Sequence, residues 1–453
     1  MPMILSRYGT FTGGIDLPDE KYHTISRAIC KCPAPAFLRV PLAPCGGAPG
    51  EPVVHVGQRV SAGERIAAAR DASGVDVFAP LDGTVRALTT AAVAGKGGLV
   101  VGPAVMLTEL SEPRDIPPAR ETFNWRAAGP ELLRSRIAAG GLSTYGERPE
   151  PLAQWLLKAR QGRCKVLIAN VMEGQPYVTA AHRLMVEYGR EVLRGLAMLA
   201  RAIEARKVFL VADRRRTGDY RCSARAGEPL GIQRVALPHK YPTEADAILV
   251  KILTRREVPP DGGAMDVGAA VIGAAACFAV FRQVACGQPP TGRVVTVSGE
   301  RASQAGNFYV PFGMSCLELA GDAASAVIHG GPMTGLRCDE DVVVGLATNA
   351  VLAGDPGAPP VAGPCVRCGW CTDHCPMRLN VAILNDAFEL ADIERAERLT
   401  AMACVECGVC SYVCPARLPL TRRMKQLKQA IRSREFATLA EAPEGAVNAD
   451  EPR

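Results

Sequence analysis

Two copies of one cysteine pattern lie between residues 365 and 415, and the rest of the chain must be read around them. Cys365, Cys368, Cys371 and Cys375, the last followed by Pro376, make the first. Cys404, Cys407, Cys410 and Cys414, followed by Pro415, make the second. Each is C-x2-C-x2-C-x3-C-P, the spacing with which thiolates hold [4Fe–4S] clusters in bacterial-type ferredoxins. Three thiolates on a tight loop meet three corners of a cubane. The fourth leaves that loop at the proline and reaches the other cluster. The predicted ligand sets are Cys365, Cys368, Cys371 and Cys414 for one cluster, and Cys404, Cys407, Cys410 and Cys375 for the other. Zinc takes four ligands, commonly two and two, and gives no role to a further cysteine before proline, twice.

The totals set the frame. The chain has 453 residues, room for two to four domains. An apolar content of 48% supports real cores, and a net charge of +6 without a basic cluster argues against nucleic acid as a partner. Seventeen cysteines and an N-terminus without an apolar leader point to a reducing compartment. The longest uncharged run, 267–281, is too short to span a bilayer. The expectation is a soluble or peripheral protein.

Along the chain, residues 1–110 hold short β-like runs. Val54 and Gly57 begin a V-x-x-G-x-x-V pattern, and Ala79-Pro80 to Val85 reads A-P-x-D-G-x-V. This is similar to the two hairpins of a biotinyl/lipoyl-type barrel-sandwich domain. The exposed turn at 71–74 has no lysine, which argues against a swinging arm. Cys30, Cys32 and Cys45 lack a fourth ligand at good spacing and read as free thiols. Buried strands at 165–170, 207–213 and 233–238 alternate with helices at 178–205 and 243–254. That order predicts a Rossmann-like parallel α/β domain over 130–290. No G-x-G-x-x-G follows any strand. Strands at 293–299 and 307–313, a short helix and Gly330 to Gly335 predict a β-grasp, SLBB-like module over 291–350. The predicted ferredoxin domain spans 360–435, of a helical dicluster type with one helix over 380–402 between the motifs, and a tail follows at 436–453. The basic stretch 421–431 is amphipathic. It either lies on an anionic membrane or partner, or packs as an end helix on the ferredoxin module. Trp370 and Tyr412 stand beside the clusters, where they could shield them from water.

This order of parts resembles the RnfC family of the Rnf electron-transport complex. The resemblance covers nearly the whole chain. It rests on Gly13-Gly14-Ile15, on Asn170 to Tyr177, on His239-Lys240-Tyr241-Pro242, on Gly330 to Gly335 and on the second cysteine motif. It implies a peripheral subunit on the inner, cytoplasmic face of a membrane complex. Its partners would be the other subunits and ferredoxin or a similar redox protein. It further implies hydride transfer from NADH to a noncovalent FMN, with single electrons leaving through the clusters. By the same resemblance Gly140, Gly141, Glu173, Tyr177 and Lys240 would serve the flavin or nucleotide.

The departures from the family pattern fall on that flavin site. The phosphate-cradling loop, close to G-x-G-G-A-x-F-P-T in the family, keeps only Gly140 and Gly141 before Leu142, Ser143 and Thr144. The second acid of the N-A-A-E-C-E-P-Y motif is Gln175, and K-Y-P-x-G-G-E has become Lys240 to Asp246, with Glu244 and Ala245 in place of its glycines. Two readings stay open: a flavin held by altered contacts, or flavin and NADH lost. Two other functions compete with the Rnf reading. One is a stand-alone flavin/iron–sulfur reductase of the cobalamin-reductase type, whose order of parts differs. The other is a wiring scaffold with a vestigial nucleotide site.

Overall fold

A computed structural model describes residues 10–95, 98–220, 231–321, 324–354 and 361–434. The predicted tail at 436–453 lies outside the described residues.

The glycine-punctuated hairpins near the start form two small sheets round one core. Leu38–Pro41, Gly98–Thr108, Gly83–Gly95 and Arg59–Val60 make one antiparallel sheet. Glu51–Pro52, Arg65–Ala68 and Val77–Phe78 make the other. Leu38, Val40, Ile66, Val85, Val105 and Leu107 fill the space between them. This is the barrel-sandwich arrangement. Its lysine-free turn is tied down: Ser73 Oγ accepts from Ala48 N at 3.2 Å, and Gln154 Nε2 donates to Ala72 O at 2.6 Å. A turn held at both sides cannot swing.

The apolar runs that follow make a four-stranded, all-parallel sheet in the order Ile232–Leu237, Lys207–Asp213, Val166–Asn170, Ala269–Gly273. Helix Ala180–Ala202 covers one face with a stripe of Leu184, Val192, Leu196 and Leu199. It packs on helix Ala274–Cys286. The longest uncharged run is thus a buried strand followed by a buried helix. Among the described residues no helix is long and apolar enough to cross a membrane. The strand order reverses between Val166–Asn170 and Ala269–Gly273, so their carboxyl ends form a topological switch point. That switch point is where open α/β sheets place ligands.

A third sheet has six strands in the order Ile29–Lys31, Gly306–Pro311, Gly292–Ser298, Ala350–Ala353, Val327–His329, Leu336–Cys338. Its edge strand Ile29–Lys31 comes from the start of the chain and pairs in parallel with Gly306–Pro311. Residues 10–31 therefore leave the barrel-sandwich unit and run across the other parts of the molecule.

The C-terminal lobe is helical, but the single helix expected over 380–402 is two. Val381–Glu389 and Ile393–Arg398 are separated by a break. Ala391 takes a φ of 51°, and the Asp392 side chain caps the second helix by accepting from Arg395 N at 2.8 Å. Leu390, just past the end of the first helix, is 70% exposed. Helix Leu420–Ser433 buries Leu420, Met424, Leu427 and Ile431 in the lobe's core. Its amphipathic pattern is satisfied by the lobe itself.

Candidate functional site

The two cysteine motifs fold as matching loops, each closing on a one-turn helix, Trp370–Asp373 and Val409–Tyr412. Their sulfurs sort across the motifs. Cys365, Cys368, Cys371 and Cys414 line one cavity of about 390 Å³, partly open to solvent. Cys375, Cys404, Cys407 and Cys410 line another of about 350 Å³. These are the two sets predicted from spacing, including the exchange of the fourth cysteine. Among the described residues no three His, Cys, Asp or Glu side chains converge to hold a single ion. Each set of four cysteines lines one cavity, as four thiolates round a cubane would. Burial raises the Cys404 thiol to about 11 and pushes Cys407 and Cys410 up as well. Such thiols need the charge of bound iron to become thiolates.

The two cavities differ in their surroundings. Cys365 and Cys368 are exposed, whereas Cys375 is buried. Trp370 and Tyr412 are 52% and 40% exposed, so neither closes its cavity from water as the sequence suggested. His374 turns back on its own loop, with Nδ1 2.9 Å from Trp370 O.

The inner cavity is clasped by three segments from the rest of the chain. Gly14 N donates to His374 O at 2.8 Å, and Ile15 bridges Tyr241. Gly13 has a φ of 77°, and a Cβ there would strike the carbonyl of Cys375, so the glycine lets the N-terminal segment lie against the cysteine loop. Tyr241, fully buried, donates its hydroxyl to Cys407 O at 2.6 Å. Met333 packs with Leu17, Tyr241 and Val409. Gln175 fixes the Met333 loop from both ends of its amide: Nε2 donates to Thr334 Oγ1 at 2.6 Å, and Oε1 accepts from Met333 N at 3.0 Å. A glutamate there could not donate, which gives a physical reason for Gln175. The carboxyl end of the α/β sheet thus abuts the inner cysteine cavity through Tyr241.

Tyr241→Phe should leave the fold intact and remove a donor from the peptide of Cys407. The midpoint potential of one centre is expected to fall on the order of 20–60 mV, read by a redox titration. An unchanged potential would rule out the coupling.

The residues expected to serve a nucleotide are placed as follows. Gly140 N–H caps its own preceding helix by donating to Ile137 O at 3.2 Å. Gly141 has a φ of 63°, and a Cβ there would lie 2.6 Å from the Phe78 ring. The pair is a packed joint between the α/β domain and the barrel-sandwich unit. The Glu173 carboxylate accepts from Ala181 N at 2.7 Å and His182 N at 3.0 Å, capping helix Ala180–Ala202. Lys21 donates to the Glu173 carbonyl. Tyr177, in a left-handed conformation, donates its N–H to Asp19 O at 3.1 Å. Lys240 Nζ donates to Phe11 O at 2.9 Å and lies 4.8 Å from the Phe11 ring centre. Glu173, Tyr177 and Lys240 therefore hold the N-terminal segment; Gly140 and Gly141 stand apart from them.

Comparison with known proteins agrees with this layout. An RnfC barrel sandwich hybrid domain model matches residues 9–109. A Nuo51 FMN-binding domain model matches 139–282, and a 4Fe-4S dicluster domain model matches 361–415. The C subunit of the ion-translocating oxidoreductase complex of Rhodobacter capsulatus is 32% identical over 93% of this chain and 83% of its own length. The chain belongs to this RnfC family. The protein of the same description from Salmonella choleraesuis is 33% identical over 82% of this chain and 53% of its own length. A solved NAD+-reducing [NiFe]-hydrogenase in the H2-reduced state overlays 70% of this chain on 59% of its own at 18% identity. Its TM-score is 0.42. The dicluster match and the cysteine rings agree on iron–sulfur clusters.

The family's flavin domain is present, but its phosphate cradle is not. The Gly140 N–H is spent and Gly141 is covered. Asn170 Nδ2 donates to Glu244 O at 2.9 Å, and the Glu244 carboxyl lies against Gly174 with Oε2 buried and unpartnered. Burial, with smaller contributions from Glu147 and Glu173 and against the pull of Lys21, raises that carboxyl to about 7. A phosphate dianion there would meet the buried Glu244 carboxyl where it needs N–H donors. The residues present do not fit a phosphate-bearing flavin, and no redox step is drawn through one.

Glu244 also makes stability depend on pH. Its folded pKa lies above the unfolded 4.5, so its neutral form suits the fold. The stability is complete below the unfolded value and is lost as pH rises through about 7. Glu244→Gln is therefore expected to match the parent near about pH 5 and to exceed it by ~3 kcal/mol near about pH 8. Denaturant unfolding at the two pH values checks this; equal effects at both would refute it.

Proposed function

We propose that this chain is the electron-transfer subunit of an Rnf-type, membrane-associated oxidoreductase complex. Two [4Fe–4S] clusters would be held by Cys365, Cys368, Cys371 and Cys414, and by Cys375, Cys404, Cys407 and Cys410. The observation that carries this is the sorting of eight cysteines into two cavities across the motifs. Bound clusters supply single-electron transfer. The protein's part is to bury one set beside the α/β sheet and leave the other at the surface. Tyr241 ties the inner loop to the sheet, and the exposed Cys365 loop faces outward to a partner. Partners of the named relatives' kind, the other subunits of such a complex, suit this arrangement, with ferredoxin or a similar redox protein as the soluble one. We place the chain as a peripheral subunit on the inner, cytoplasmic face. The six-stranded sheet is read as a β-grasp, SLBB-like module built over 291–350 and completed by Ile29–Lys31. FMN and NADH are left out of the proposal because the cradle does not accommodate the phosphate.

The test is the content of the full chain, purified without oxygen. About eight iron atoms per chain, flavin well below one equivalent and no cluster bleaching by NADH are expected. Iron well below that figure overturns the cluster assignment. A full equivalent of flavin, with NADH-driven reduction, overturns the exclusion of FMN while leaving electron transfer in place.

A further inference from the structure

A third cavity lies away from the two that the cysteines line and from the carboxyl ends of the parallel sheet. It occupies about 620 Å³, partly open to solvent, between helix Ala274–Cys286, the segment 288–292 and the strands Gly292–Ser298 and Gly306–Pro311. The helix gives it Ala275, Phe278, Ala279 and Arg282, a single i, i+3, i+4, i+7 stripe, and the far walls carry Tyr145 and Tyr309. Small and aromatic side chains leave a flat, apolar interior.

The polar groups of the wall are incompletely paired. Arg282, 5% exposed, is neutralised by Glu191 at 3.2 Å and also donates to Pro117 O. Arg293 is 6% exposed and has no such partner among the described residues. It donates to Leu346 O, and its guanidinium lies 5.8 Å from the Tyr145 ring centre. Its Nε is buried with nothing to donate to. Burial lowers its pKa to about 10, and among the described residues no carboxylate opposes this. Its charge also helps hold His329 neutral, after burial of that ring. Among the described residues the wall therefore carries one buried positive charge without a counter-ion, a state that is costly unless an anion offsets it. Opposite in kind, Gln288 Oε1 is a buried acceptor without a donor.

We propose that this cavity binds a small aromatic monocarboxylic acid, its carboxylate on Arg293, its ring between Phe278 and the two tyrosines, and a ring hydroxyl or N–H on Gln288. None of Asn170, Glu173, Gly174 or Glu244 lines it, so it does not depend on the fate of the flavin site.

Calorimetry on the full chain would use benzoate, 4-hydroxybenzoate and 3-phenylpropionate as probes, with benzamide as the uncharged control and FMN as a competitor. At least one acid should bind saturably, about 10–100-fold tighter than benzamide, the span of one hydrogen bond to a charged group. Arg293→Met should abolish that preference. Because Arg293 also holds Leu346, Gln288→Leu serves as the milder variant: it should weaken 4-hydroxybenzoate several-fold and leave benzoate unchanged. No saturable binding by any of the acids, equal binding of acid and amide, or a 4-hydroxybenzoate affinity unmoved by Gln288→Leu each overturns the proposal. So does displacement of the acid by FMN, which would assign the cavity to the cofactor.

Discussion

Replacing Cys375 with alanine is expected to abolish the same centre as replacing Cys404, Cys407 or Cys410, although Cys375 belongs to the first motif. The chain leaves the first loop after the turn Trp370–Asp373 and carries Cys375 across to the cavity of the second. Cys414 makes the reverse crossing. Iron should fall from about eight atoms per chain to about four in each single variant. Low-temperature EPR of the reduced protein should then sort the variants into two groups of four. Cys375→Ala would share the spectrum left by Cys404→Ala, and Cys414→Ala that left by Cys365→Ala. Grouping by motif instead, with Cys375→Ala resembling Cys365→Ala, would refute the crossed ligand sets. The inner group should also lose more stability. Cys375 and Cys404 lie among the side chains of the lobe's core, beside Leu379, Val381 and Met424.

The grouping of the eight cysteines round two cavities was legible because the spacing expected of a rigid cluster writes itself into sequence intervals. The parallel sheet was legible for a related reason. Strands buried on both faces, such as Val166–Asn170 and Lys207–Asp213, are continuous apolar runs. What spacing could not convey was context. The apolar positions 384, 388, 390 and 393 suit one helix, but Ala391 and the Asp392 cap break it in two. Glu173 and Lys240 carry charges that suit a nucleotide. In the fold they are taken by a helix N-terminus and by the Phe11 carbonyl, partners that no local pattern announces. Gly140 and Gly141 look like a phosphate loop, yet close packing calls for glycine as strongly as a ligand does. The role of Tyr241 depends on two segments 166 residues apart meeting at Cys407. One signal was present in the sequence all the same. Thr421, Met424, Leu427 and Ile431 mark a buried stripe, and Lys428 sits within it rather than opposite it.

That lysine carries the second large effect. Lys428 and Glu406 are 7% and 3% exposed and form an ion pair inside the C-terminal lobe. Lys428 Nζ also donates to Cys404 O at 2.7 Å, so one ammonium joins helix Leu420–Ser433 to the inner cysteine loop. Arg148 reaches Glu406 at 3.5 Å, but it is 56% exposed and screened by water. Lys428→Met preserves the length and the apolar stem of the side chain while leaving the Glu406 charge in the interior. Breaking a buried pair from one side costs about 3–5 kcal/mol, and the expected loss for the lobe is of that size. It should be read from denaturant unfolding followed by the visible absorption of the clusters. Removing the Glu406 charge as well, in Lys428→Met with Glu406→Gln, should recover most of the loss, because the penalty arises from a buried carboxylate that has lost its ammonium and not from the missing attraction. If the double variant is as unstable as the single one, the contact to Cys404 O outweighs the ion pair as the source of the lobe's stability. If neither variant changes stability, the pair does not join the helix to the cysteine loop.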